Sequence, residues 1–144
     1  MQPKTIAIVH GDRGLAETLA EMTQQLGYKP IIMTVNETTK PEEVYSFIYS
    51  VNPALVFLAE NYRTRTPIIA YTLPQEIIPQ SVKIGEGIEA LVEIRKNRPT
   101  LPVVIVSGNP LHYDKAMQNG ANGYLPMPIE FTDYKKLLKS NIQS

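Results

Sequence analysis

Four residues of metal-ligating type, His10, Asp12, Glu60 and His112, stand just beyond short apolar runs. Brought to one edge of a sheet, two imidazoles and two carboxylates could bind a transition metal such as Zn²⁺. No tight ligand spacing links them, and the plain alternative is four solvated polar residues on loops. The chain has no cysteine, which excludes disulfides, thiolate metal sites and a cysteine nucleophile. His10-Gly11-Asp12-Arg13-Gly14 invites comparison with a phosphate-binding glycine loop. Its glycine spacing fits neither the dinucleotide nor the P-loop fingerprint, and a turn needing a permissive backbone accounts for Gly11 and Gly14. Ser107 could act as a nucleophile, but no His–carboxylate relay accompanies it, and a serine there can simply end a strand. Asp12 or Glu60 could accept a phosphoryl group, though neither has an evident lysine partner. Arg63 and Arg65 beside Tyr62 could touch an anion or a partner, or be ordinary loop surface.

Positioning these residues falls to apolar runs that alternate with helical patterns. The pivotal run is residues 52–61, Asn-Pro-Ala-Leu-Val-Phe-Leu-Ala-Glu-Asn. Its unbroken apolar stretch, 54–58, predicts a strand buried on both faces at the centre of a parallel sheet. In open sheets of this kind chemistry gathers beyond the carboxyl ends of the strands. That end is Ala59, Glu60 and Asn61, and Ala59 has no reactive group.

Before this run, residues 5–9 predict a first strand, and Leu15, Leu19, Met22 and Leu26 recur at helical spacing up to a stop at Gly27. Residues 31–35 predict a second strand. Thr39 as N-cap, with Pro41 and Glu42 behind it, predicts a second helix burying Val44, Phe47, Ile48 and Val51. After the central run, residues 62–84 break the alternation with Pro67, Pro74 and Pro79. The stretch is long for a loop. Its apolar pairs, Ile68–Ile69 and Ile77–Ile78, predict an ordered insertion packed near the carboxyl edge. A helix over 86–97 follows, with Ile88, Leu91, Val92 and Ile94 turned inward. Then come a strand over 103–106 ending at Ser107, a weak helix over 110–119 stopped by Gly120, and a short strand at Tyr124 and Leu125. Pro126-Met127-Pro128 ends that strand, and a last helix carries Phe131, Tyr134, Leu137, Leu138 and Ile142.

Right-handed crossovers through this order predict an α/β, three-layer, flavodoxin-like (βα)5 fold. Its central five-stranded parallel sheet has the order 2-1-3-4-5, with the insertion after strand 3. The 144 residues are read as a single domain, 1–144, with the insertion at about 62–84. Fourteen lysines and arginines balance 14 aspartates and glutamates, so a nucleic-acid partner is not expected. No apolar run is long enough for a bilayer and no signal-peptide layout opens the chain, so a cytoplasmic protein away from membranes is expected.

Three stretches, in order and on the matching elements, resemble the receiver domains of response regulators, the phosphoacceptor modules of two-component signalling. Asn-Pro-Ala-Leu-Val-Phe-Leu-Ala-Glu-Asn (52–61) is similar to the family's strand bearing Pro-Asp-Leu and a terminal aspartate. Residues 85–108 resemble the helix and fourth strand that follow, and residues 119–131 resemble its Gly-Ala-x-x-Tyr-x-x-Lys-Pro segment. The resemblance covers nearly the whole chain apart from 62–84. It implies that the phosphorylated aspartate falls on Ala59, the Mg²⁺-binding acidic pair on His10 and Gly11 with Asp12 one place beyond, and the phosphoryl-contacting lysine on Met127. It places the phosphoryl-gripping hydroxyl on Ser107, the aromatic switch on Tyr124, and a cis bond before Pro128.

The departures have chemical meaning. Alanine cannot be the covalent acceptor. Glycine offers Mg²⁺ no side-chain ligand, and histidine suits that ion poorly. Methionine forgoes the roughly 1.5–3 kcal/mol of a charged hydrogen bond to the anion. The expectation is therefore a pseudo-receiver that is not an enzyme, takes no cofactor or metal, and works by phosphorylation-independent binding of a protein partner or of a second copy as a homodimer. With no DNA-binding output domain in the sequence, it is expected to act as a single domain or by assembling with something else. The alternative is a small-molecule or metal-binding regulatory domain using the altered pocket. The resemblance nominates the side formed by the fourth helix, fifth strand and fifth helix for binding, around His112, Tyr113, Tyr124, Tyr134 and Lys135, and tyrosine's apolar body with a polar tip suits that use. Incubation with acetyl phosphate and Mg²⁺ is expected to leave the intact mass unchanged, and Ala59→Asp alone is expected not to restore phosphorylation. A phosphoryl adduct lost on replacing Asp12 or Glu60 by alanine would overturn this.

Overall fold

The structure, a computed structural model, describes residues 3–36, 38–62, 86–108 and 113–142. Leu55–Ala59 forms the central strand, β3, and every one of its residues is buried. The other strands are β1 (Thr5–His10), β2 (Lys29–Thr34), β4 (Val103–Ser107) and β5 (Gly123–Pro126). They alternate with helices α1 (Arg13–Gln25), α2 (Pro41–Val51), α3 (Glu86–Asn97), α4 (Tyr113–Gln118) and α5 (Phe131–Asn141). All strand pairs are parallel and the order is β2-β1-β3-β4-β5, as predicted. Registers such as Val9↔Leu58, Leu58↔Ile105 and Ser107↔Pro126 align the carboxyl ends of the strands along one edge. The predicted insertion lies outside the described residues apart from Tyr62, and so do Arg63, Arg65 and His112.

Alternation along the strands divides the core into two layers. Ala7, Val9, Val56 and Leu58 pack with Val44, Ile48, Ile88, Leu91 and Ile94 of α2 and α3 and with Ala116 of α4. Ile6, Ile8, Leu55 and Phe57 pack with Ala16 and Leu19 of α1 and with Tyr134 and Leu138 of α5. One inward assignment is corrected: Val92 is 36% exposed and lies on the outer side of α3.

Helix ends follow local chemistry. Gly27, at φ 89°, closes α1 by a Schellman pattern in which Tyr28 N–H donates to the Thr23 carbonyl and Gly27 N–H to that of Gln24. The N-cap of α2 is Lys40 rather than the expected Thr39. Glu43 reaches back to accept from the Lys40 N–H at 3.0 Å, while Thr39 Oγ1 accepts from Asn36 N–H at 2.9 Å and so closes the preceding turn. At the far end of α3, Arg95 donates to the carbonyls of Gly120 (2.9 Å) and Arg98 (3.1 Å) and to Asn122 Oδ1. That oxygen also accepts from Val103 N–H, so one guanidinium ties α3, the start of β4 and the approach to β5 together.

Tyr134 is the main correction among the residues nominated for binding. It is fully buried, its ring stacks on Phe57 at 4.7 Å between centroids, and its hydroxyl pairs with Thr23 Oγ1. Its position in the inner stripe of α5 with Leu138 turns it into the sheet, away from any partner. Burial pushes its phenol up to about 12 from 10.0. The folded-state value lies above the unfolded one, so its contribution to stability is present below pH 10 and is lost as pH rises towards 12. Tyr134→Phe is expected to cost about 1 kcal/mol in urea unfolding at pH 7 and to flatten the alkaline decline in stability. An unchanged alkaline profile would show that another group carries it.

Candidate functional site

The carboxyl edge is assembled from three pieces of chain. The first is the β1–α1 loop. Asp12 is the N-cap of α1, with Oδ1 accepting from Leu15 N–H at 3.1 Å. Its own N–H donates to His10 Nδ1 at 2.9 Å, so that ring nitrogen is the unprotonated one. Burial holds the imidazole below its usual 6.5 and outweighs the opposing charge of Asp12. Both side chains thus serve the local backbone. Gly14 lies inside the first turn of α1, where no special backbone geometry is needed.

The second piece is the exit from β3. Ala59 is buried. Glu60 donates its N–H to the Val106 carbonyl at 3.0 Å and accepts from Gly87 N–H at 2.8 Å through its own carbonyl. Its side chain is fully buried, and Oε2 accepts from Ser107 Oγ at 2.8 Å and from Asn61 Nδ2 at 3.2 Å. Tyr62 follows, with its N–H on Glu86 Oε2 at 3.0 Å and its ring in the core with α2 and α3. Burial first, then the neighbouring Tyr45, Glu86 and Glu89, push its phenol well above the ordinary tyrosine range.

Two glycines permit this path. A Cβ on Gly87 would overlap the Ala59 carbonyl oxygen and lie 2.9 Å from Glu60 Cα, so the start of α3 sits directly on the end of β3. A Cβ on Gly11 would overlap the Tyr62 carbonyl oxygen and lie 3.1 Å from its carbon. Gly11 is therefore required for close approach of two backbones, not for the permissive turn expected of it. The chain itself fills the space into which a ligand-bearing side chain at residue 11 would project.

The third piece follows β5. Met127 N–H donates to the Ser107 carbonyl at 3.2 Å, and the Met127–Pro128 peptide is cis, as the resemblance implies. The Met127 side chain is 39% exposed and offers an anion no donor. Of the residues singled out at this edge, the fold brings Glu60 and Ser107 into contact, and joins His10 to Asp12 through the latter's N–H. Among the described residues no group of three histidines, aspartates or glutamates could hold a metal ion. The metal reading loses Asp12 to a helix cap and Glu60 to Ser107, and its fourth member, His112, is outside the described residues.

On the neighbouring side, α4 and α5 both pack on β5, the edge strand of the sheet. The half-buried Tyr124 meets Tyr113 edge-on, with 5.1 Å between centroids. Tyr113 is 46% exposed, and Met117, Met127 and Phe131 also show large apolar side chains to solvent. Lys135 is exposed as expected. Sequence reasoning missed Met117 as a surface residue, although it follows Tyr113 at i+4 on one helix face. It also missed Gly87, whose placement inside a helix start was the available signal.

No family model matches the chain, and no curated protein matches it. Solved structures do. The receiver domain of NtrX from Brucella abortus superposes with a TM-score of 0.70 at 18% identity, covering 94% of this chain and 96% of that one. A CheY-like receiver domain protein from Methanospirillum hungatei gives 0.70 at 20% identity, over 96% and 93% of the two chains. The response regulator TrrA from Thermotoga maritima, in complex with Mg²⁺ and BeF, gives 0.71 at 20% identity, over 96% and 99%. The chain has the fold of response-regulator receiver domains.

Gly11→Asp is expected to destabilise the protein by about 1–3 kcal/mol through overpacking against Tyr62. Combined with Ala59→Asp and Met127→Lys, it is expected to confer no measurable Mg²⁺ affinity by calorimetry. A stable triple variant that binds Mg²⁺ would show that the Glu60-Asn61-Tyr62 path yields easily.

Proposed function

We propose that this chain is a receiver-fold signalling module that binds a protein partner without being phosphorylated and without catalysing a reaction. The observation that carries the reading is the contact of Gly11 with the Tyr62 carbonyl, which leaves no room for a metal-binding side chain at residue 11. Two further features agree with it. Ala59 supplies no acceptor, and Met127 turns out to solvent instead of supplying a cation. Asp12 and Glu60, the alternative acceptors, are engaged by the α1 cap and by Ser107. A ligand pocket at this edge is disfavoured by the same close packing.

The binding surface under this reading is the α4–β5–α5 side, with Tyr113, Met117, Met127, Phe131 and Lys135 replacing the set that included Tyr134. Aromatic and methionine side chains are enriched in interface cores, and a flexible thioether adapts to varied partners. The partner is a signalling protein or a second copy of the chain. No helix among the described residues is long and apolar enough to cross a membrane, and the 14 cationic and 14 acidic side chains give no overall attraction to a polyanion.

Sedimentation and affinity capture from cells test this together. Tyr113→Glu with Phe131→Glu is expected to weaken self-association or partner capture tenfold or more, about 1.4 kcal/mol, while leaving the fold intact. Acetyl phosphate with Mg²⁺ is expected to change neither. Undiminished binding by the folded double variant, or binding that depends on the phosphodonor, would overturn the proposal.

A further inference from the structure

Glu60 is held against β4 by both its backbone and its side chain. Its N–H bonds the Val106 carbonyl and its carboxyl accepts from the Ser107 hydroxyl, so two successive residues of β4 are gripped by one residue leaving β3. Ser107 in turn carries Met127 on its carbonyl. The β4–β5 register then runs Ser107↔Pro126, Val106↔Leu125 and Ile105↔Tyr124, which places Tyr124 on the same pair of strands, with Tyr113 at the start of α4 against its ring. A path of hydrogen bonds and strand pairing joins a fully buried carboxyl group to the exposed Met127 and to Tyr124, and the edge-on ring contact of Tyr124 extends it to Tyr113.

A buried carboxyl is a costly way to fill space unless its bonds are made, and a leucine of similar volume would fill the same volume without that demand. What the carboxyl adds is direction. It is a fully buried acceptor fixed at 2.8 Å from Ser107 Oγ and supplied from within the chain, with Asn61 Nδ2 donating to the same oxygen. We propose that Glu60 is a built-in latch that holds Ser107 and, through the Met127 loop, keeps the α4–β5–α5 face in a single arrangement. The functional weight of the latch rests on the reading of that face as the binding surface, but the latch itself does not. It also gives Ser107 a role that needs no external ligand: the chain supplies the oxygen that positions the hydroxyl.

The test uses the whole chain and follows the methyl signal of Met127 and the ring signals of Tyr124 by NMR. Ser107→Ala removes the donor with minimal change in volume, and both signals are expected to shift or broaden. Glu60→Ala is expected to move them in the same direction. Glu60→Gln, which keeps an oxygen acceptor in place, is expected to leave them near the parent positions. If the folded Ser107→Ala protein keeps both signals where they were, the latch is overturned, whatever the binding assays show. If the signals move while Tyr113→Glu with Phe131→Glu leaves capture undiminished, the latch stands and the binding-face reading falls.

Discussion

Gly11 and Tyr62 meet backbone to backbone, and the rest of the carboxyl edge is arranged around that contact. Because residue 11 has no side chain, the segment leaving β3 can cross over the end of β1. Because Gly87 has none either, the start of α3 can close on Ala59 and Glu60 from the other side. Between these two approaches Glu60 has nowhere to go but inward, and its carboxyl finds the hydroxyl of Ser107. A Cβ at residue 11 or 87 would overlap a backbone carbonyl oxygen, so the seam closes only because both are glycine.

The core explains why such a seam can be held in place. β3 is buried along its whole length between two helical layers, so Phe57 and Leu58 anchor its carboxyl end alongside the bonds of Glu60 to Val106 and Ser107. Tyr134 contributes to one layer by stacking on Phe57, and Tyr62 to the other by packing with α2 and α3. Two tyrosines that look alike in the sequence as candidates for a surface are thus structural, and both have phenols pushed upward by burial. Of the tyrosines nominated for binding, Tyr113 outright and Tyr124 in part reach solvent, and they meet edge-on beside β5. Interdigitated packing of this kind transmits small shifts poorly as gradual deformation and well as displacement of whole elements. That makes the link from Ser107 to Met127 a sensible place for control of the neighbouring face.

Much of the fold was legible in the residue pattern alone. The apolar run over 54–58, the helical spacing of Leu15, Leu19 and Met22, the glycine after Leu26 and the prolines after Leu125 are local signals, and local signals survive without knowledge of the partner segments. They suffice for the order of elements, and chirality rules then leave few sheet topologies. Once the resemblance assigns a phosphoacceptor to residue 59, a metal-binding carboxylate to residue 11 and a cation to residue 127, that Ala59, Gly11 and Met127 lack these groups is equally legible, because it depends on residue identity and not on geometry.

Tertiary structure alone decided what those absences amount to. No spacing in the sequence says that the Tyr62 carbonyl lies over Gly11, since the two are brought together by the pairing of β1 with β3 and the turn beyond it. Nor does the sequence say that Glu60 turns inward to Ser107, or that Tyr134 turns away from solvent. Each depends on which face of a strand or helix the packing of distant elements leaves covered. Residue type settles which chemistry is available at a position, because a side chain carries its functional group wherever it is placed. Whether that group meets solvent, a partner or its own backbone is a property of contacts between remote parts of the chain, and those exist only once the chain has folded.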